Sequence, residues 1–176
     1  MFSLQNVKRL ICETKTTNDS TNVWGDFTKH ARSDRGAVLF AVVGGKLSEG
    51  LNFSDELGRC VIMVGLPYPN RNSVELVEKM KYLDEHSERD ERSGQTPGQL
   101  FYEAACMKAV NQSIGRAIRH RKDYAAIVLL DERFARPRIQ SQLPAWISSR
   151  LVVHEKLPST LVAIRDFFKN HKNATL

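Results

Sequence analysis

The sequence predicts an α/β fold in which a mainly parallel sheet is flanked by helices. Three runs of apolar and β-branched residues, 37–43, 60–66 and 125–130, have the composition of strands buried on both faces. Helical patterns over 73–88 and 100–121 separate the second and third runs, and such alternation is typical of a doubly wound sheet. Ligands of such sheets bind beyond the carboxyl ends of the strands, so we expect a functional rim in the loops that begin at Gly44, Pro67 and Asp131.

The remaining elements are less strongly patterned. Residues 20–32 have helical spacing, whereas 7–12 fit either a short strand or a helix. Asn72 and Glu75 are placed as a capping pair for the helix over 73–88, and residues 84–98 read as a solvated loop. A closing amphipathic helix is expected over 158–169, with Leu161, Ile164 and Phe168 facing inward. The domain boundaries that follow are a poorly assigned part over 1–35, which begins partway into a fold, and one domain over 36–176.

Composition limits the classes of function. The chain has 176 residues, of which 41% are hydrophobic and 26% charged, as in a soluble domain with a substantial core. Its apolar runs are too short to cross a bilayer, no secretory signal opens the chain, and no membrane partner is expected. Three dispersed cysteines and five dispersed histidines predict neither disulfides nor a metal site. The net charge of +6 favours a polyanionic partner.

The segment 111–120 carries the most informative polar pattern. On a helix, Gln112, Arg116 and Arg119 would share one narrow stripe, opposite the apolar side chains of the same helix. The stripe is either an ordinary solvated face or a set of planar donors for phosphate oxygens, which arginine suits better than lysine. Gly115 costs roughly 1 kcal/mol of helix propensity relative to Ala, which is understandable if a ligand approaches the backbone there.

Two loops on the expected rim carry cations. The loop 44–53 is not a Walker A loop, because Phe40 and Leu47 stand where that motif requires Gly and Ser or Thr. It is either a glycine-rich surface loop or a segment in which Lys46 and Ser48 contact a nucleic-acid phosphate, while Glu49 links that contact to a nucleotide. After the third strand, Arg133 and Arg136 either extend a nucleic-acid groove or pair with neighbouring carboxylates.

Three stretches together resemble one known family. Residues 44–53 (GGKLSEGLNF) look like motif V, and 112–120 (QSIGRAIRH) like motif VI, of the XPD-like iron–sulfur DNA helicases of superfamily two. Residues 129–137 (LLDERFARP) resemble the strand and turn that follow motif VI. Asn52, CMKAVN over 106–111 and LPAW over 143–146 are most similar to the ChlR-type branch, which acts in chromosome transmission and sister-chromatid cohesion. The resemblance runs from about 36 to about 168.

The resemblance implies a partial RecA-like second helicase lobe, with 36–176 as the helicase C-terminal domain. It implies a nuclear 5′-to-3′ ATP-dependent DNA helicase with a role in cohesion and DNA repair. For single residues, the resemblance implies that Arg116 and Arg119 serve the γ-phosphate of ATP and that Gln112 serves the nucleotide or its attacking water. It also implies that Glu49 and Gly50 couple the lobes and that Lys46 and Ser48 contact DNA. Gly115 is a further candidate for nucleotide binding, and Arg133 and Arg136 for DNA binding, from their places in the sequence.

The same resemblance assigns other parts to a first lobe. The Walker A lysine, the DEAH box and the four cluster cysteines of the family have no counterpart in this sequence, so ATP with Mg²⁺ would be held mainly by the first lobe and a 4Fe-4S cluster would belong there. The implied partners are single-stranded or forked DNA, the first lobe in cis, and cohesion or replication factors. The alternative is a truncated, non-catalytic DNA- or partner-binding module. In either case the isolated chain is expected to be inactive as an ATPase.

Overall fold

The computed structural model describes residues 4–13, 20–45, 47, 53, 55–89 and 94–173. Four strands and six α-helices lie in this part of the chain, in the order β, α, β, β, α, α, β, α, α, α. The strands are β1 (Arg9–Cys12), β2 (Ala37–Phe40), β3 (Cys60–Val64) and β4 (Ala126–Leu130). The helices are α1 (Ser20–Ala31), α2 (Val74–His86), α3 (Pro97–Ile114), α4 (Pro137–Gln140), α5 (Ala145–Ser148) and α6 (Leu157–Asn173). None of the described helices is both long enough and apolar enough to span a membrane.

The strands form two parallel pairs. β1 pairs with β2 in the register Arg9↔Ala37, and β3 pairs with β4 in the register Cys60↔Ala126. The predicted α/β class with parallel strands is therefore confirmed, and the segment 7–12, for which the pattern left two choices, contains a strand. Two glycines in the left-handed region follow strands: Gly65 directly ends β3 with φ +77°, and Gly44 lies in the turn after β2 with φ +79°.

The prediction that the strands are buried on both faces is wrong for the described part of the chain. On the β3–β4 pair, the side chains of Ile62, Val64 and Leu130 are 57%, 75% and 53% exposed, whereas Met63, on the opposite face, is 4% exposed. Successive side chains of a strand point to opposite faces, and here only one face is covered by packed side chains. The apolar composition alone could not distinguish a strand covered on one face from a strand covered on both.

Helix α3 is the central packing element. Its buried side chains Cys106, Met107, Val110 and Ile114 form one cluster with Met63 of β3. The cluster is completed by residues from the segments around β3 and after β4, namely Leu66, Phe134, Ile139, Leu143 and Ile147. A fully buried residue of this size contributes about 1.5–3 kcal/mol of hydrophobic stabilisation. The core thus fixes α3 against the ends of β3 and β4, where the rim loops begin.

The bounds of α3 differ from the prediction at both ends. The helix starts at Pro97 because Thr96 and Gln99 form a capping box: Gln99 N donates to Thr96 Oγ1 at 3.3 Å, and Thr96 N donates to Gln99 Oε1 at 3.1 Å. It ends at Ile114, not at Arg121, because the backbone tightens there into i→i+3 bonds from Arg116 N to Ser113 O and from Ala117 N to Ile114 O.

Two further local predictions are wrong. Ser73, not Asn72, is the N-cap of α2, and its side chain makes no capping hydrogen bond, so the pair of Asn72 and Glu75 does not cap this helix. In the closing helix α6, Ile164 and Phe168 are half-buried as predicted, but Leu161 is 56% exposed. The helix instead packs through Phe167 and His171, whose rings lie against Tyr124.

Candidate nucleotide and nucleic-acid site

A cavity opens at the carboxyl ends of β2 and β3, on the rim that the sequence predicted. It has a volume of about 220 Å³, and we call it the rim cavity. Its lining includes Gly44 from the loop after β2, Pro67 and Tyr68 from the loop after β3, and Gln112, Ser113 and Arg116 from the end of α3. The fold therefore brings the glycine-rich loop and the polar end of α3 to one place, although they are more than 60 residues apart in the sequence.

The predicted stripe is only partly formed. Gln112 lies in the last turn of α3 and Arg116 in the tight turn that follows, and both line the rim cavity. Gly115 is the C-cap of α3 with φ −66°, and a Cβ atom there would lie 3.0 Å from the Asn111 carbonyl oxygen. That φ value is an ordinary helical one, so only the close approach of the Asn111 carbonyl oxygen disfavours a side chain at this position. The predicted role of Gly115 in nucleotide binding stays a prediction.

Arg119 lies beyond the helix, which corrects the prediction that it shares a helical face with Gln112. Among the described residues, those lining the rim cavity do not include Arg119. Its backbone N–H donates to Asp123 Oδ2 at 3.2 Å. The position of this arginine therefore depends on a carboxylate four residues away and not on helical geometry. We call residues 115–120 the arginine segment.

Asp123 is a buried carboxylate with four N–H donors. Arg59 Nη1 and Tyr124 N donate to Oδ1 at 2.8 and 2.9 Å, and Arg119 N and Asp55 N donate to Oδ2 at 3.2 and 3.4 Å. Burial raises the pKa of Asp123, but hydrogen bonds from Arg59 and from the backbone outweigh that effect and hold the pKa below its ordinary value. The residue is ionised at neutral pH and organises the chain around it.

Glu13 is a second carboxylate that the sequence did not single out. It follows β1 directly, and its side chain accepts hydrogen bonds from Val42 N at 2.8 Å and from Leu47 N at 3.1 Å. Gly45 lies so close that a Cβ atom there would be 2.6 Å from Glu13 Oε1. Glu13 thus fixes the start of the loop 44–53. A firm strand assignment for 7–12 would have placed Glu13 on the rim, because it stands at the carboxyl end of that strand.

The predicted cations of this loop are not located by the structure. Lys46, Ser48, Glu49 and Gly50 lie outside the described residues, so their roles remain predictions. Leu47 is described and is 2% exposed, so this one side chain is buried in the fold.

Arg133 pairs with the neighbouring carboxylate of Asp131, which is one of the two alternatives that the sequence left open. Its Nε and Nη2 donate to Asp131 Oδ1 and Oδ2 at 2.8 and 2.7 Å. This fork lowers the pKa of Asp131 to about 2. The guanidinium also lies 5.8 Å from the ring centre of Tyr68, which lines the rim cavity. Arg136 is exposed at the end of the following turn. DNA contact by either arginine stays a prediction.

The chain matches a known protein family over most of its length. The model of the family described as Helicase C-terminal domain matches residues 3–150 of the chain. The match includes residues 3–35, which the sequence patterns left poorly assigned. This part contains β1, the strand that pairs with β2.

Relatives from three animals are similar over most of the chain. The ATP-dependent DNA helicase DDX11 of zebrafish is 48% identical over 98% of the chain, and the ATP-dependent DNA helicase chl-1 of Caenorhabditis elegans is 49% identical over 89%. The mouse ATP-dependent DNA helicase DDX11 is 55% identical over 80%. The matched segment makes up 20%, 18% and 16% of these relatives, so the chain spans a fifth of their length or less.

Proposed function

Because the chain belongs to the helicase C-terminal domain family, we propose that it is the second motor lobe of an ATP-dependent DNA helicase. Its relatives carry that activity in their names and are several times longer than this chain. The proposed activity is therefore that of a two-lobed protein in which ATP is bound between the lobes. The chain supplies one wall of that site and part of the DNA-binding surface.

The observation that carries this proposal is the composition of the rim cavity. It combines Arg116 and Gln112 with the loops after two parallel strands, the position at which α/β proteins bind ligands. Its volume of about 220 Å³ is below the ~300–1,000 Å³ of complete small-molecule sites. A cavity of this size suits the phosphate end of a nucleotide whose remainder is held by the other lobe.

The chemistry we propose for the cavity is stabilisation of charge on the γ-phosphate. In phosphoryl transfer, negative charge is spread over the equatorial oxygens, and a planar guanidinium can contact two of them at once. Arg116 would supply one such contact from the cavity, and Gln112 would orient the attacking water or the nucleotide. Arg119, which does not line the cavity, would supply the second contact from the segment that follows α3. Glu49, Gly50 and Gly115 would transmit nucleotide binding to the DNA-contacting loop.

The DNA surface we propose begins at the loop 44–53. Glu13 holds Val42 and Leu47 at the start of this loop by accepting their N–H groups. Lys46 and Ser48, the sequence neighbours of Leu47, are the residues that we propose contact the DNA phosphates. Phosphate contacts of this kind orient a protein on DNA without reading bases. The net charge of +6 is consistent with a polyanionic ligand.

Further features are proposed from the family resemblance. They are movement in the 5′-to-3′ direction, a 4Fe-4S cluster in the first lobe, a nuclear location, and partners among cohesion and replication factors. A forked DNA with single-stranded tails is the substrate that such a motor would engage.

Unwinding by a two-lobed protein that contains this chain tests the proposal. Two DNA forks are compared, one with a 5′ and one with a 3′ single-stranded loading tail. Each fork is tested with the wild-type protein and with Arg116→Lys. We expect ATP-dependent unwinding only from the 5′ tail, and its loss in Arg116→Lys with DNA binding retained. Equal unwinding by Arg116→Lys would contradict the role of the rim cavity, and unwinding from the 3′ tail would contradict only the polarity.

The second candidate is a DNA-binding module without catalysis. It is favoured by the basic balance of the chain together with Phe40 and Leu47 at the positions where a Walker A loop needs Gly and Ser or Thr. Under this candidate the 176-residue chain binds DNA and does not hydrolyse ATP, and Arg116 and Arg119 can be replaced without loss of its function.

A further inference from the structure

Asp123 joins two segments that are far apart in the sequence. Its side chain is fully buried, whereas Arg59, its ionic partner, is 29% exposed. One carboxylate oxygen, Oδ1, is occupied by Arg59 and by the backbone of Tyr124. The other, Oδ2, is occupied by Arg119 N of the arginine segment and by Asp55 N, which begins a 3-10 turn shortly after the loop 44–53.

A second contact joins the same two segments. His120 Nε2 lies 3.0 Å from Asp55 Oδ1, and both of these side chains are about half exposed. Asp55 has φ +54°, in the left-handed region that non-glycine residues adopt infrequently. A backbone held in such a conformation requires support from its surroundings. The N–H bond to Asp123 and the side-chain contact with His120 provide it.

We propose that Asp123, assisted by His120, is a positioning residue. It holds the backbone of Arg119 at a fixed distance from Asp55, which lies in the segment after the DNA-contacting loop. This inference rests on the proposed function, because it assigns to Arg119 a task at the nucleotide. Asp123 contacts neither ATP nor DNA in this account. It acts through the backbone at Arg119, and it links the part of the lobe that senses DNA to the part that serves the phosphate.

The donor set supports positioning over metal binding. Asp55, His120 and Asp123 carry ligand atoms within 4.8 Å of one another, a separation that a metal could bridge. Both oxygens of Asp123 are already occupied by N–H donors, and Arg59 supplies the positive charge that a metal would otherwise bring. A cation at this place would have to displace the backbone donors that define the geometry.

Asp123→Asn is the sharpest perturbation of this arrangement. The variant has the same shape but only one acceptor oxygen. Its NH₂ group must therefore face N–H donors at one of the two positions that the carboxylate oxygens occupy in the wild type. The Arg119 backbone then loses a fixed partner while the apolar core around α3 is untouched. The variant is measured in the two-lobed protein together with Arg119→Lys and with Asp166→Asn, which removes an exposed carboxylate paired with its neighbour Arg165.

We expect Asp123→Asn to lower the DNA-stimulated kcat by about 10- to 100-fold, the range for small misplacements of a reacting group. The KM for ATP and the Kd for DNA should stay within about twofold, and Asp166→Asn should match wild type. In the 176-residue chain, the Arg119 amide should exchange with solvent about tenfold faster in Asp123→Asn, with core amides of α3 unchanged. A residue with a merely structural role would lower the melting temperature without changing kcat per folded molecule.

The outcomes separate this inference from the proposed function. If Arg119→Lys abolishes turnover and folded Asp123→Asn keeps the wild-type kcat, the positioning role is wrong and the proposed function stands. If Arg119→Lys keeps full turnover, the proposed role of Arg119 is wrong, and the positioning role of Asp123 is wrong with it. If Asp123→Asn does not fold, His120→Ala decides, because this side chain is 49% exposed: a several-fold lower kcat at an unchanged melting temperature supports the positioning role, and an unchanged kcat overturns it.

Discussion

Replacing Glu13 with Gln should loosen the loop that follows β2. The wild-type carboxylate accepts one N–H from Val42 at 2.8 Å and one from Leu47 at 3.1 Å. Gln keeps a single acceptor oxygen, so one bond becomes neutral and the other is replaced by an amide group that faces an N–H donor. Hydrogen bonds to charged groups contribute about 1.5–3 kcal/mol each. Because Glu13 is only half-buried, we expect a loss of about 1–2 kcal/mol of unfolding free energy.

Urea unfolding and amide hydrogen exchange measure this effect. A loss of this size lowers the melting temperature by about 2–8 °C for a chain of this length, and the amides of Val42 and Leu47 should exchange faster. Glu56→Gln is the matched control, since Glu56 pairs with Arg32 on the surface and both side chains are more than half exposed; it should leave the melting temperature nearly unchanged. Unchanged stability and unchanged exchange in Glu13→Gln would refute the role assigned to this carboxylate.

Three further predictions follow from charges and burial. Arg133 lowers the pKa of Asp131 to about 2 from an ordinary value of 3.8, so the ionised pair stabilises the fold above about pH 4 and this contribution is lost as the pH falls through 2. Because Arg133 is 37% exposed, Asp131→Asn should cost only about 1 kcal/mol at pH 7 and nothing near pH 2, which denaturant titrations at both pH values would measure. Burial raises the pKa of Cys106 to about 11 and the side chain is fully buried, so a thiol reagent at pH 8 should label the exposed Cys12 and Cys60 and reach Cys106 only after unfolding, as peptide mapping would detect. Binding of single-stranded DNA should be independent of sequence and weaken about tenfold between ~50 and ~200 mM salt, as two phosphate contacts require, and salt-insensitive binding in a fluorescence titration would contradict the proposed loop contacts.

The sequence predicted the strands well because composition and turn residues agree there. The runs over 37–43, 60–66 and 125–130 each contain a parallel strand, and each strand ends shortly before the residue that marked its end, Gly44, Pro67 or Asp131. The loops that follow β2 and β3 line the rim cavity, as expected for the carboxyl ends of parallel strands, although the described strands form two separate pairs. The exposure of Ile62 and Val64 was not predictable, because apolar composition does not reveal which face of a strand is covered.

The end of α3 was mispredicted for a physical reason. The apolar period continues through Ile118, and Gly115 was interpreted as an interior glycine that permits close approach. In the structure Gly115 ends the helix, and the chain leaves with i→i+3 bonds. Gln112 and Arg116 both line the rim cavity, because the tight turn after α3 keeps Arg116 on the same side of the helix end as Gln112. The backbone N–H of Arg119 is instead held by Asp123, four residues along the chain, a contact that gives no periodic signal in the sequence.

The carboxylates Glu13 and Asp123 were missed for the same reason. Each acts by accepting N–H groups from segments that are far away in the sequence, 29 residues for Val42 and 68 for Asp55. Neither belongs to a motif that a spacing rule describes, and only the fold reveals their partners. The residues that sequence could identify are those whose chemistry is local, such as the arginines of the segment 115–120.

ATP turnover by Arg119→Lys in the two-lobed protein tests the central claim most directly. Lys keeps the positive charge and loses the planar fork, and an arginine that acts on a transferring phosphate is worth about 10³–10⁵ in turnover. An arginine on a solvated surface would contribute only about 0–1 kcal/mol, and Lys would replace it without loss. We predict that Arg119→Lys keeps wild-type folding and DNA binding while ATP turnover falls by at least about a hundredfold. Turnover within a few-fold of wild type would contradict the assignment of this chain as the lobe that supplies arginines to ATP.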